Sequence, residues 1–508
     1  MAPADARLPV TELLASLSLA TDLGTGQPLG HGLSTSLLAV AVANELGCHP
    51  EQVRHVQQVA LIRFLGCTSD ASDTARMAGG DELAFMRAFA PAHLGNTTEA
   101  LRAMVGAVGA GQPIHRRARL IAAAVVNPVS DSGGLAAHCE VGAMLARRLG
   151  LDHEVIAALD HAYERWDGSG EPAGLEGEDI PLETRIAVVA RDTDLFARSG
   201  QDPHEILQAR RGSAYDPDVV DVIDRIRPEY REAEWADVME AEPRPSKQVE
   251  DIDRALEAVA DYVDLKSPWT RGHSPRVAEL AETAARSAGL DDSDRRSLRR
   301  AGLVHDLGRV GVPSGIWDKP GPLATAEWEE VRLHPYLTDR VLSRCESLAG
   351  LSELASSHHE RADGSGYHRR LAHEQITALA RFLAASDVMA ALTSDRPHRG
   401  AMGLDEAAQV IKTEVAEGRL DGEAAARVLE AAGAEEKLPR EGNPGGLTDR
   451  EVEVLCLIAK GRTNRQVGDE LFISTKTVGR HVENIYAKID VSTRAGAALY
   501  AMEHRLLR

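Results

Sequence analysis

Apolar residues recur every three or four positions along most of this chain and almost nowhere alternate with polar ones. Asp251–Val263, Arg276–Ala288 and Glu327–Leu342 carry that spacing, the mark of helices with one buried face. The pattern predicts a nearly all-α fold. Two stretches break it: residues 241–247 (AEPRPSK) hold two prolines, and 439–446 (PREGNPGG) are rich in Pro and Gly. Read as linkers, they divide the chain into 1–240, 248–438 and 445–508. Within the middle part the apolar run Ala301–Pro313 (AGLVHDLGRVGVP) ends in His305-Asp306, just before Gly308, Gly311 and Pro313. A carboxylate at the end of a buried helix is costly unless something positive neutralises it. A divalent metal does so, and imidazole with carboxylate oxygen suits zinc, iron or manganese. A surface His beside a helix-end Asp is the plainer alternative, so further ligands must decide.

The chain repeats itself. GHGLSTSLLAVAVANELG, from Gly30, resembles GHSPRVAELAETAARSAG, from Gly272, with His31 and His273 set 242 positions apart. ERWDGSG, from Glu164, matches ERADGSG, from Glu360, at an offset of 196, and the same offset brings His138 onto His334. The difference of 46 is an insertion in the first copy, between Cys67 and His138.

Composition narrows the class. The 508 residues carry a formal charge of −21, so DNA or an anionic membrane should repel the protein as a whole and any nucleic-acid contact must be local. Five scattered cysteines, with no C-x-x-C pair, argue against a disulfide framework. No signal peptide is recognisable, and no apolar run nears the ~20 residues that span a bilayer. A cytoplasmic protein without a membrane partner is expected.

The metal-capable residues of the middle part are His273, His305, Asp306, His334, His358, His359 and Asp387. They lie on separate predicted helices, the way a helical bundle assembles an interior metal site. In the loop DGSGY (Asp363–Tyr367), the backbone of a glycine such as Gly366 can approach a ligand closely. The order GHS-x-R-V, HD-x-G-R, a lone His, HHE-x-x-DGSGY and SD-x-x-x-ALTSDRP resembles the HD-GYP branch of the HD phosphohydrolases, over about Asp251 to Leu429. The resemblance implies a phosphodiesterase acting on cyclic di-GMP with two divalent metal ions (Fe, Mn or Zn). Those seven residues would be the ligands, with Asp306 the bridge, and the metals would generate a nucleophile from water for in-line displacement at phosphorus. Trp269 stands where trinuclear members carry a Glu, which leaves two metals expected. Arg309 replaces the family's Lys, keeping a cation beside catalytic Asp306 that can fork onto phosphate. Tyr367 matches the GYP tyrosine, His368 stands in place of its proline, and Arg396 and Arg399 match the basic pair that contacts substrate. A domain that only senses a nucleotide, or cleaves another phosphoester, is the alternative.

In the first copy the HD pair becomes Arg63-Phe64, the His pair Ala162-Tyr163, and Asp387 becomes Arg191, leaving His31 and His138. Two histidines among arginines cannot hold a metal pair. His161 and Asp192 stand one residue from the needed places. This copy reads as a scaffold or regulatory domain whose Arg-lined former site is a candidate for an anionic nucleotide. Gly79–Leu83 (GGDEL) resembles a cyclase signature but sits in helical surroundings, and reads as a turn before a helix near Glu82.

From Leu447 the pattern changes. Thr448 and Glu451 form a capping box for a helix ending before Gly461; a second helix spans Asn464 to Leu471 and a third Lys476 to Lys488. From Gly445 on, ten Lys and Arg face eight Asp and Glu, so this module is +2 and the remainder −23. The segment resembles the LuxR-type helix-turn-helix. That implies double-stranded DNA as partner, with Thr475, Lys476, Thr477, Arg480 and His481 on the first turns of the recognition helix, and binding as a homodimer. The fold expected is therefore all-α: tandem HD-type bundles, the first degenerate, and a C-terminal helix-turn-helix domain.

Overall fold

The computed structural model describes residues 7–93, 95–126, 134–228, 231–435 and 443–507. Among them every regular element is a helix, and β-structure is limited to isolated bridges. The chain divides into two compact units, one of Arg7–Ala255 with Pro313–Gly315, the other of Leu256–Val312 with Ile316–Arg508.

In the first unit the helix His31–Glu45 packs on Pro50–Ile62 and on Leu182–Arg198. The region between Cys67 and His138 that holds the expected insertion includes, among the described residues, the helices Ala71–Ala78, Glu82–Phe89, Thr97–Ala107 and Ile114–Val126. They close a small core of their own from Ala78, Phe85, Ala107, Val108 and Ala124. The GGDEL segment is the turn before one of them: Asp81 caps Glu82–Phe89 by accepting the Ala84 N–H at 2.8 Å.

The second unit repeats the plan, with His273–Ser287 packed on Asp292–Val304 and on Ala378–Leu392. Two shared features hold both copies together. Asp264 accepts the Ser274 N–H and hydroxyl, each at 2.8 Å, where the chain enters the His273 helix. Asp22 accepts Gly30 and Gly32 N–H at the matching place in the first copy. Burial pushes both carboxyls up to about 8. The glycine after the HD position is the second feature. A Cβ on Gly308 would lie 2.0 Å from the His334 carbonyl oxygen, and one on Gly66 would lie 1.9 Å from that of His138. Only glycine lets the two segments meet so closely.

Glu327–Leu342, read from its spacing as continuous, is two helices, Thr325–Arg332 and His334–Leu342. Pro335 has no N–H to give the carbonyl four residues back, Val331, so the helix breaks there. The His334 Nδ1–H takes that carbonyl at 2.6 Å instead. The last four helices, Asp449–Ala459, Asn464–Leu471, Thr475–Ile489 and Arg494–Glu503, form a module within the second unit. Their starts follow the sequence: Thr448 and Thr463 open capping boxes with Glu451 and Gln466, and Ser474 caps the third helix through the Thr477 N–H. No helix among the described residues is long and apolar enough to cross a membrane.

Candidate metal centre and DNA-binding face

All seven expected ligands of the second unit converge. His273, His305, Asp306, His334, His358 and Asp387 are buried, and His359 is partly so. The arrangement centres on Asp306. Its Oδ2 lies 3.7 Å from His273 Nε2 and 3.4 Å from His305 Nε2, while its Oδ1 lies 3.5 Å from His334 Nε2 and 3.6 Å from His358 Nε2. Each carboxylate oxygen thus faces its own pair of imidazoles. Asp387 joins the first pair, at 3.1 Å from His273 and 3.8 Å from His305. His359 joins the second, within one ligating group with His334 and His358.

Backbone contacts fix which ring nitrogen points inward. His305, His334 and His358 each donate Nδ1–H to the carbonyl three residues upstream, Gly302, Val331 and Ala355, at 2.8, 2.6 and 2.7 Å. Their Nε2 atoms therefore face Asp306, bare on His334 and His358, and backbone contacts of this kind orient histidine toward a metal. His334 and His358 hold theirs 3.1 Å apart, and His305 Nε2 is buried without a hydrogen-bond partner. Two facing lone pairs repel unless a cation lies between them.

The electrostatics agree. Burial holds His273 and His334 down to about 4, and burial together with His305 holds His358 down to about 3, so these rings are neutral at pH 7. Burial pushes His305 the same way, but the Asp306 carboxylate outweighs it and raises the ring to about 9. Burial would raise Asp306, and Arg309 with His305 overcomes that and keeps the carboxyl well below its ordinary value. Asp387 is held low as well, against burial, mainly by the hydrogen bond with His273. Three neutral imidazoles and two ionised carboxylates suit a divalent ion, which would displace the proton that His305 holds without it.

The expected substrate contacts differ among themselves. Arg309 Nη1 pairs with Asp306 Oδ2 at 2.6 Å, and its guanidinium lies over the Trp317 indole. Arg396 is a half-buried cation with Nη1 at 3.4 Å from the Trp269 carbonyl; desolvation, then Arg309, lowers it to about 10. Arg399 gives its guanidinium to the carbonyls of Ala391, Leu392, Ser394 and Gly400, tying off the end of the Ala378–Leu392 helix. Tyr367 lies against His359 with ring centroids 4.7 Å apart and the planes tilted by 34°. At Gly366 a Cβ would fall 2.4 Å from the Arg361 nitrogen, so the loop folds onto its own backbone there. Gly170 repeats this in the first copy, with 2.4 Å to the Arg165 nitrogen. Glu360 accepts the Arg369 and Leu371 N–H groups, and Glu164 those of Ala173, Gly174 and Leu175. The repeated E-R-x-D-G-S-G motif therefore serves the fold, which is why both copies keep it. Trp317, Asp264 and Thr338 were not singled out by the sequence. The Thr338 hydroxyl donates to the His305 carbonyl and accepts the Gly308 N–H, each at 2.9 Å.

In the first unit the same positions are filled by protein. His31 Nδ1 bonds Asp194 at 2.6 Å, and His138 Nε2 bonds Asp70 at 2.8 Å. Arg63 donates to the Ala162 carbonyl, and Arg191 to the Ala90 carbonyl and to Asp192. Asp192 also accepts from the Tyr215 hydroxyl at 2.7 Å, and His161 lies 3.6 Å from Glu164. Among the described residues, the group of metal-capable side chains in this unit is Glu51, His55 and Asp152, and the Lys247 ammonium already sits on Asp152.

In the C-terminal module the recognition helix is Thr475–Ile489, one residue earlier than the spacing predicts. Thr475, Lys476, Thr477 and Arg480 are exposed, and His481 is partly so. A second cation, Lys488, reaches back to Glu451 at 2.7 Å, bracing the third helix against the first.

Fold and site together define a metal-dependent HD-domain phosphohydrolase joined to a helix-turn-helix regulator. The HD domain family matches residues 130–219 and 257–424, and the luxR family of bacterial regulatory proteins matches 446–501. The chain belongs to the HD-domain phosphodiesterases of the HD-GYP type, with a LuxR-type DNA-binding domain at its C-terminal end. The 3'3'-cGAMP-specific phosphodiesterase 3 of Vibrio cholerae is 30% identical over 426 residues, which are 81% of this chain and 92% of that one. The crystal structure of a V. cholerae cyclic GMP-AMP-specific phosphodiesterase matches at a TM-score of 0.58 and 27% identity, over 85% of this chain and 99% of that one. The Bacillus subtilis transcriptional regulatory protein LiaR is 46% identical over 93 residues, 18% of this chain and 42% of that protein.

Proposed function

We propose that the chain is a transcriptional regulator whose second HD copy hydrolyses a 3'3'-linked cyclic dinucleotide, with cyclic GMP-AMP the leading substrate and cyclic di-GMP the second. The observation that carries this reading is the split of Asp306, one oxygen toward His273 and His305 and the other toward His334 and His358. Two divalent ions, Fe, Mn or Zn, fit such a donor set, one with His273, His305 and Asp387, the other with His334, His358 and His359, and Asp306 shared. When bound, the metals supply a nucleophile from water at neutral pH and charge stabilisation at the phosphorus.

The protein's own part is to bind and orient. Arg309 and Arg396 bring two cations to the phosphate, Arg309 with a planar fork suited to two oxygens. Tyr367 offers a ring face beside His359 against which a base or ribose can rest. The substrate preference rests on the V. cholerae relative, whose named specificity is for 3'3'-cGAMP and whose match takes in the first half of this chain as well as the second. We divide the chain as 1–240, a degenerate HD-like domain, 248–438, the phosphodiesterase, and 445–508, the DNA-binding domain acting as a homodimer. Lys476 and Arg480 then contact phosphate or guanine edges.

Incubating the Mn²⁺- or Fe²⁺-loaded full chain with 3'3'-cGAMP, cyclic di-GMP and cyclic di-AMP, and resolving the linear products by chromatography, tests this. Cleavage of 3'3'-cGAMP fastest of the three is expected. Binding of all three without cleavage assigns the domain to sensing instead.

A further inference from the structure

The segment Ser267–Gly272, which leads into His273, has neighbours on two sides within its unit. On one side the Trp269 carbonyl meets Arg396 at 3.4 Å. On the other the DNA-binding domain rests on it. Arg271 donates to the Ala459 carbonyl, and Gly461 packs so tightly that a Cβ there would lie 3.1 Å from the Pro268 Cβ. The Leu507 carbonyl oxygen is 3.7 Å from where a Cβ on Gly272 would stand. Two ion-pair seams flank these contacts. Lys460 faces Asp395, the neighbour of Arg396, at 3.9 Å, and Arg505 reaches Glu279 at 2.5 Å and Glu257 at 3.5 Å. The DNA-facing residues Thr475, Lys476, Thr477 and Arg480 stay exposed throughout.

We propose that docking of the DNA-binding domain on Ser267–Gly272 and binding of a cyclic dinucleotide in the adjacent site oppose each other, so that ligand sets DNA affinity. This rests on the cyclic-dinucleotide reading above. The physical link is Arg396. A phosphate anion is a far stronger partner for this half-buried guanidinium than a neutral carbonyl at 3.4 Å. Drawing Arg396 away frees Trp269, and with it the segment on which Ala459–Gly461 pack. Release favours DNA for an electrostatic reason. Docked, the +2 module must bring the remaining −23 of the chain close to the phosphates, whereas on a tether it approaches with that charge farther off and more screened. Linkage makes the effect reciprocal: dinucleotide and DNA each raise the other's affinity by the same factor, typically about 5-fold or more, and whatever loosens docking tightens dinucleotide binding.

The test uses the Mn²⁺-loaded full chain, the phosphorothioate analogue of 3'3'-cGAMP, and Glu279→Arg, which repels Arg505 from outside both the metal site and the DNA face. Small-angle scattering reads release, calorimetry reads nucleotide affinity, and anisotropy with a fluorescent duplex reads DNA affinity. The analogue and Glu279→Arg should each enlarge the radius of gyration and raise DNA affinity several-fold. Glu279→Arg should also tighten the analogue, and the charge swap Glu279→Arg with Arg505→Glu should bring all three readings back part of the way, short of native because Glu257 then faces a like charge. Heat of analogue binding without change in scattering or DNA affinity overturns the proposal. So does release by Glu279→Arg that leaves analogue affinity untouched. No heat from the analogue, with native scattering and release by Glu279→Arg intact, overturns the cyclic-dinucleotide reading and the proposal built on it.

Discussion

Arg309 lays its guanidinium over the indole of Trp317, 4.1 Å from the ring centroid, and turns Nη1 to Asp306 Oδ2 at 2.6 Å. The ring packs against the cluster of Val312, Ile316 and Val331 and meets His334 in a T-shaped contact. A planar cation held flat on an aromatic face keeps its fork in one orientation, which a lysine at this position cannot reproduce.

Trp317→Leu should therefore act through Arg309. A cation–π contact of about 0.5–2 kcal/mol corresponds to a 2- to 30-fold drop in kcat/KM. The drop should appear mainly in KM, with metal content unchanged. Steady-state kinetics beside metal analysis checks this; adding Arg309→Lys to Trp317→Leu should cost less than Arg309→Lys alone.

The chelated protein should be most stable near pH 6.5. His273, His334 and His358, held at about 4, 4 and 3, take up protons more readily unfolded, so stability falls as pH drops below their ordinary 6.5. His305, at about 9, holds its proton more tightly when folded, so the stability it adds below 6.5 is lost as pH rises to 9. Asp306 and Asp387, held low, add a further loss below 3.8. Calorimetric melting in EDTA should give a Tm that declines on both sides. Added Mn²⁺ should raise Tm less at pH 5 than at pH 7.5, because the ligands must be deprotonated to bind.

Asp264 should tolerate Asn and not Ala. Burial raises its carboxyl to about 8, so at pH 7 it is a neutral acceptor for the Ser274 N–H and hydroxyl. An amide mimics that state, whereas Ala leaves buried donors unmet at a cost of about 1–3 kcal/mol. Urea unfolding of the two variants distinguishes them, with Asp264→Ala also loosening the start of the His273 helix and weakening metal binding.

Lys476→Ala should weaken DNA binding nearly uniformly across sequences and reduce the slope of log affinity against log salt by about 1. Anisotropy titrations at several salt concentrations with two unrelated duplexes measure both effects.

The sequence displayed the ligands because their spacing is fixed by helices shared with the first copy, so a lost ligand such as Arg63 in place of His305 stood out. The same comparison showed what is structural, since Gly66 and Gly308, or Glu164 and Glu360, persist where chemistry does not. Other features were not legible. The break at Leu333 depends on one missing N–H at Pro335, and the apolar spacing runs straight through it. The tautomers of His305, His334 and His358 follow from carbonyls three residues upstream, visible only once the turns are built. Trp317 is distant in pattern from any motif and meets Arg309 only through the fold.

The proposed hydrolytic centre turns on Asp306, shared between two metals. Counting metal by mass spectrometry in the Mn²⁺-loaded full chain and in Asp306→Ala, while following 3'3'-cGAMP turnover in both, tests it most directly. Two ions per chain and turnover are expected in the native protein, and in the variant a loss of metal together with turnover. Two ions retained and turnover surviving in Asp306→Ala would contradict that sharing.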